Sequence, residues 1–226
     1  MNCRLIRRIA VDWVTKHVPD IPGFCGAYFS GSFATVRDED NWPESSDVDV
    51  VSITRADPLP PRIGKFRHEG VLLEVSLISA EEYGSLEHLL ETHYLAWPLH
   101  LDGVILDPEG WLKPLQGRVK MRYADPYWVG PRCRAHLAAV RRGVLAFDPE
   151  APFHARVTSW VFSTGIASYP ILSAALENCT VRKRYTAARR VLERYEMMDF
   201  YPRLMATLCP YEVTAAALIH HLDQLT

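Results

Sequence analysis

Asp47-Val48-Asp49-Val50-Val51-Ser52-Ile53-Thr54 and, further along, Val71-Leu72-Leu73-Glu74-Val75-Ser76-Leu77-Ile78-Ser79 both read as extended chain. β-branched residues crowd the first segment at Val48, Val50, Val51, Ile53 and Thr54, and they favour a strand. Side chains alternate faces along a strand, so Asp47 and Asp49 project together while Val48 and Val50 turn to the other side, toward a core. In the second segment Leu73 and Val75 face one way and Glu74 the other. An ionised carboxylate buried alone in so apolar a strand is costly, so Glu74 sits at an open place or meets a cation. If the two strands are neighbours, three carboxylates converge.

Upstream, Phe24 to Phe29 is a short apolar strand that runs into Gly31-Ser32. A glycine there allows close backbone approach, and the serine hydroxyl and nearby N–H groups can hold phosphate oxygens. A helix beginning at that point would add a field favourable to an anion. Arg37 to Ser46 is a polar loop. Its Asp38-Glu39-Asp40 lacks the glycine and distal glutamate of a calcium loop and reads as a solvated tip. Before β-like sequence begins, Leu5, Ile6, Ile9, Trp13 and Val14 fall on one face of an amphipathic helix, which Pro19, Pro22 and Gly23 end.

Downstream, Pro58, Pro60 and Pro61 close the first acidic strand. Ser79 and Glu82 form a capping box that opens a helix over Ala80 to Thr92. Gly103 to Leu106, closed by Asp107-Pro108, reads as a last strand. Helices and strands alternate to this point, which predicts an α/β (α+β) fold with a mixed sheet flanked by helices. Behind it the side chains step by three and four: Leu137, Val140, Val144, Phe147; Val157, Trp160, Val161, Thr164; Val181, Tyr185, Ala188, Leu192, Tyr195. Pro170 kinks or splits the second of these helices. The expected organisation is a catalytic domain over 1–110 and an all-helical bundle over 111–226. Thr214 to Thr226 reads as a helix without a C-cap, as if the chain continued. No internal repeat is present.

The chain carries 25 basic and 27 acidic side chains, a net charge of −2. A protein that grips a long phosphate backbone gains affinity from counterion release and usually has a basic excess, so this balance argues against long nucleic acid. No apolar run is long enough to span a bilayer, and the N-terminus has charges throughout instead of a leader's apolar stretch. A cytoplasmic location is the expectation. Five cysteines, scattered and without a Cys-x-x-Cys pair, make neither a disulfide framework nor a zinc site. The histidines have no zinc spacing, and no Gly-x-Ser-x-Gly elbow occurs.

Paired carboxylates repel unless a cation lies between them. A hard divalent ion that prefers oxygen, magnesium above all, is the natural guest. A third acid gives the arrangement that holds two ions across a phosphoryl group in an in-line displacement. Gly-Ser, a loop, Asp-x-Asp on a strand and a third acid on a later strand resembles the DNA polymerase β-like nucleotidyltransferase superfamily. The likeness covers roughly Phe24 to Ser79 and is greatest to adenylyltransferases acting on aminoglycoside antibiotics. It implies that Gly31 and Ser32 bind the β- and γ-phosphates of an NTP, ATP first. It implies that Asp47, Asp49 and Glu74 hold Mg2+, two ions in all, with Glu74 also the general base. NMP, as AMP, would pass to a hydroxyl of a small molecule such as an antibiotic. The loop from Ser32 to Asp47 is longer than the family's.

Transfer to protein or RNA, or a silent nucleotide-binding module, are the alternatives. On the helix around Arg182 to Arg194, Lys183, Arg190 and Arg194 share a stripe, and Lys183 is the residue there best placed to reach a triphosphate; the plainer reading is a solvated face. Tyr94, Trp97, Tyr127 and Trp128 could stack on a base, but packing is the simpler role. The acceptor, the donor's base and the oligomeric state stay open at this level.

Overall fold

The computed structural model describes residues 1–209 and 214–224. Five strands, β1 (Phe24–Phe29), β2 (Val48–Thr54), β3 (Gly64–His68), β4 (Val71–Ser79) and β5 (Val104–Leu106), form one sheet in the order β3-β4-β2-β1-β5. β2 and β4 are parallel, and the other neighbouring pairs are antiparallel. The helices are α1 (Cys3–His17), α2 (Leu86–Glu91), α3 (His93–Leu99), α4 (Leu112–Arg122), α5 (Pro126–Leu145), α6 (Phe153–Gly165), α7 (Tyr169–Ala174), α8 (Arg184–Arg194), α9 (Tyr201–Leu208) and α10 (Ala215–Asp223). The fold is α+β, a mixed sheet with flanking helices and a helical C-terminal part. Among the described residues no helix is long and apolar enough to cross a membrane.

The chain divides into two compact units, Met1–Arg132 and Cys133–Thr226. Helical character begins after Asp107-Pro108, yet the units part later, because α4 packs on the sheet. In the first unit Ile6, Ile9, Ala10 and Val14 of α1 are buried with Phe29, Val48, Val50, Leu73 and Val75 on one face. On the other face Tyr28, Val51 and Ile53 meet Leu89 and Leu90 of α2, Leu95 and Leu99 of α3, and Leu112, Leu115 and Val119 of α4. That second cluster holds a buried polar contact, the 2.7 Å hydrogen bond between the hydroxyls of Tyr28 and Tyr83. Tyr83→Phe leaves the Tyr28 hydroxyl in the core without this partner. The expected loss is about 1–3 kcal/mol of stability, read as a lower urea midpoint.

Two readings from sequence are corrected here, and one strand is added. Ala80 to Thr92 is not one helix: Ala80–Tyr83 is a 3-10 turn, and Gly84-Ser85 separates it from α2, whose first turn Ser85 caps by accepting from His88 N at 3.2 Å. Glu82 does not complete a capping box; its carboxylate meets His88 at 2.9 Å and the Tyr94 hydroxyl at 3.3 Å. β3 was not foreseen at all. It pairs with β4 through a two-residue turn, Glu69-Gly70, both with positive φ (47° and 79°), the hairpin turn that matches strand twist.

The acidic loop is no free tip. The first N–H groups of a helix have no partner inside it. In α1 the Asn2 side chain accepts from Leu5 N, and loop carbonyls take two more, Asp40 O from Cys3 N at 2.9 Å and Asp38 O from Arg4 N at 3.0 Å. Arg7 donates to Asp38 Oδ1 and Val36 O, both at 3.1 Å, so the loop is clasped to α1.

In the second unit Leu172, Ala188, Val191 and Leu204 are the buried centre. Of the expected α6 stripe, Val157, Trp160 and Val161 are exposed and Thr164 is buried, together with its neighbours Ser163 and Gly165. Leu137, Val144, Val181 and Tyr195 are exposed as well. Pro170 falls in the first turn of α7, after α6 has ended at Gly165. Of the predicted terminal helix, α10 covers Ala215–Asp223; Leu225 and Thr226 lie outside the described residues.

Candidate active site

The parallel pairing of β2 and β4 sets Asp49 directly beside Glu74. In-register residues share a face. Val48 and Val50 are buried against α1, so the pleat sends Asp47 and Asp49 to the opposite side, where Glu74 also points. One oxygen from each of Asp47, Asp49 and Glu74 lies within 4.8 Å of the others. The row is accessible though confined, with side-chain exposure of 12% for Asp47 and 17% for Glu74. At such separations each pair of carboxylates repels by roughly 3 kcal/mol at an effective dielectric of about 20. Cationic side chains beside the acids offset part of this.

Two cations come from the segment that sequence left unread. Lys65 of β3 is the register partner of Glu74 on the far side of β4. Its ammonium contacts Glu74 Oε2 at 3.1 Å and also donates to Asp47 Oδ2. Arg62, just before β3, donates to Glu74 Oε1 at 2.8 Å. The contacts to Asp47 and then Glu74 hold the Lys65 ammonium's pKa above its ordinary value, which keeps it charged. The alternation Lys65-Phe66-Arg67-His68 followed by Glu69-Gly70 was the available signal, a charged edge strand entering a hairpin.

Gly31 completes the row on the side of β1. β1 and β2 pair up to Phe29 and Val50, and Ser30 N–H donates to Asp49 O at 2.9 Å. This brings Gly31 against the acid: a Cβ on it would lie 1.9 Å from Asp49 Oδ2, and its φ of 59° is in the left-handed region. No α-helix begins here. Ser32–Thr35 is a single 3-10 turn, held by buried Phe33, and Ser32 is exposed at its head.

Asp47, Asp49, Glu74 and Gly31 are thus brought together, with Ser32 next to Gly31 in the chain. Lys183 is exposed at the N-cap position of α8, in the second compact unit. In its neighbourhood Arg189 pairs with Glu193 and Arg194 with Glu177, each at 2.9 Å. Of the aromatic candidates, Trp97 is buried, while Tyr94 and Tyr127 are exposed.

Three carboxylates are hard oxygen donors, and clustered on a solvent-reached surface they fit a divalent ion of the magnesium type. No family model matches the chain, and no curated protein does. Among solved structures it is similar to a nucleotidyltransferase-like protein from Exiguobacterium sibiricum, with 12% identity over 97% of this chain and 75% of that one, at a TM-score of 0.40.

Proposed function

We propose that the chain is a cytoplasmic, magnesium-dependent nucleotidyltransferase that moves NMP, AMP first of all, from an NTP to a hydroxyl of a small molecule, with an aminoglycoside-like antibiotic the leading acceptor. One observation carries the reading: Asp47, Asp49 and Glu74 present oxygens within 4.8 Å of one another, from neighbouring strands. Three clustered carboxylates are the hard oxygen donor set that suits a divalent ion of the magnesium type.

Asp47, Asp49 and Glu74 would hold Mg2+, two ions in the expected case, which when bound offsets phosphate charge and polarises the phosphoryl group. Gly31 and Ser32 receive the β- and γ-phosphates, the glycine letting them come close to the backbone. Glu74 takes the proton of the acceptor hydroxyl. The acceptor oxygen then bonds to the α-phosphorus as the bond from that phosphorus to the bridging oxygen breaks, and pyrophosphate departs. In the structure Glu74 Oε1 accepts from Arg62 and Oε2 lies against Lys65, which leaves each oxygen a second lone pair for the proton.

The test is incubation with α-labelled NTPs and Mg2+ against aminoglycosides, lincosamides, protein and RNA, following pyrophosphate. Label on a small molecule with stoichiometric pyrophosphate is the expected result. Label on protein or RNA overturns the acceptor class, and nucleotide binding indifferent to magnesium, with no pyrophosphate, overturns the enzyme.

A further inference from the structure

Lys65 spans two of the three acids. It touches Glu74 Oε2 at 3.1 Å and Asp47 Oδ2, while half of its own side chain is exposed to solvent (50%). We infer that Lys65 is a built-in counter-ion that occupies the space between Asp47 and Glu74 until nucleotide and metal arrive together, so that the site takes up a bare divalent ion poorly. This rests on the nucleotidyltransferase reading and concerns how that site loads.

The chemistry of the side chain fits the role. An ammonium is a compact point charge that can sit between two carboxylates, and it is strongly hydrated, so it returns to water readily. Its four-carbon stem stands on an edge strand, where it can swing without disturbing the ladder. A divalent ion and the ammonium compete for the same two oxygens and repel each other. An ion entering alone must therefore break two ion pairs and leave Lys65 with no anion. An ion entering with a triphosphate brings an anion for the displaced ammonium. Metal and nucleotide then favour one another's binding, and the linkage is reciprocal.

A purely structural lysine predicts the opposite sign. A rivet that holds the carboxylates in place, once removed, loosens them and weakens metal binding; a competitor, once removed, strengthens it. The probe is Mn2+, an oxygen-preferring ion whose free form is counted by electron paramagnetic resonance. Full-length wild type, Lys65→Met, Lys65→Arg and Asp49→Asn are titrated with Mn2+ alone and, separately, with the Mn2+ complex of a non-hydrolysable ATP analogue. Circular dichroism confirms that each is folded.

Lys65→Met is expected to bind bare Mn2+ about tenfold tighter than wild type, within the usual range of coupling between sites. Its preference for the nucleotide complex over the bare ion shrinks by a similar factor, and Lys65→Arg stays near wild type. Unchanged or weaker Mn2+ binding by Lys65→Met, with Asp49→Asn still losing the ion, overturns the counter-ion role and leaves the metal site standing. Mn2+ binding untouched by Asp49→Asn overturns the reading of the site itself and this role with it.

Discussion

Asp49→Asn gives a folded protein whose pyrophosphate release with NTP and acceptor falls on the order of a thousandfold. Asparagine keeps the shape of the side chain and removes the charge that a divalent ion needs. The main-chain bond from Ser30 N to Asp49 O at 2.9 Å survives the exchange, as does the β2–β4 pairing on either side of it. Removing one of three mutually repelling charges also relieves strain in the folded state. The thermal midpoint is therefore expected to stay level or rise while turnover collapses, a split typical of sites that trade stability for activity. Pyrophosphate release and a melting curve on the same preparation check both halves. Full turnover in this variant removes the catalytic assignment of the acid row.

Gly31→Ala is the second large effect, and here both stability and turnover fall. The new methyl carbon would stand 1.9 Å from Asp49 Oδ2 and 2.7 Å from its Cγ, so the carboxylate must leave its place or the turn must open. The positive φ adds roughly 1–2 kcal/mol of backbone cost for any residue with a Cβ. A loss of about 1–3 kcal/mol lowers the melting temperature of a chain this size by roughly 2–10 °C. Turnover is expected to fall on the order of a hundredfold or more, since a small misplacement of a positioned group is enough for that. Much of the penalty is owed to one neighbour. In an Asp49→Ala background the same change should cost clearly less stability, and a double-mutant cycle measures the difference. Additive penalties would mean that Gly31 answers to its backbone conformation alone.

The acids were legible because a strand's period of two is a local rule: Asp47 and Asp49 had to share a face whatever lay beside them. Glu74 was legible as an exception inside an apolar strand. Their meeting was expected through the resemblance and not from the strand period itself, since register between distant strands is a tertiary fact, and Gly31's contact with Asp49 is of the same kind. β3 escaped because an edge strand keeps charge on its side chains and pairs through its backbone, which erases the apolar signal. Lys65 escaped with it. In α6 the large apolar members of the stripe lie exposed and its small member Thr164 is buried beside Ser163 and Gly165, where a Cβ on Gly165 would lie 2.4 Å from the Arg184 guanidinium carbon. The break at Gly84-Ser85 was masked by the capping signal at Ser79, which the chain spends on a single short turn.

The in-register ladder from Lys65 through Glu74 to Asp49 also bears on how the protein avoids misfolding. A slip of β4 by one position would present Leu73 or Val75 to water and drive Glu74 into the apolar layer beneath α1, where it has no partner. Misaligned forms are thereby penalised twice, by lost burial and by a stranded charge. The acid proposed as the general base thus also polices strand alignment, so a neutral residue at position 74 should leave a chain more prone to misregistered, aggregating states during refolding.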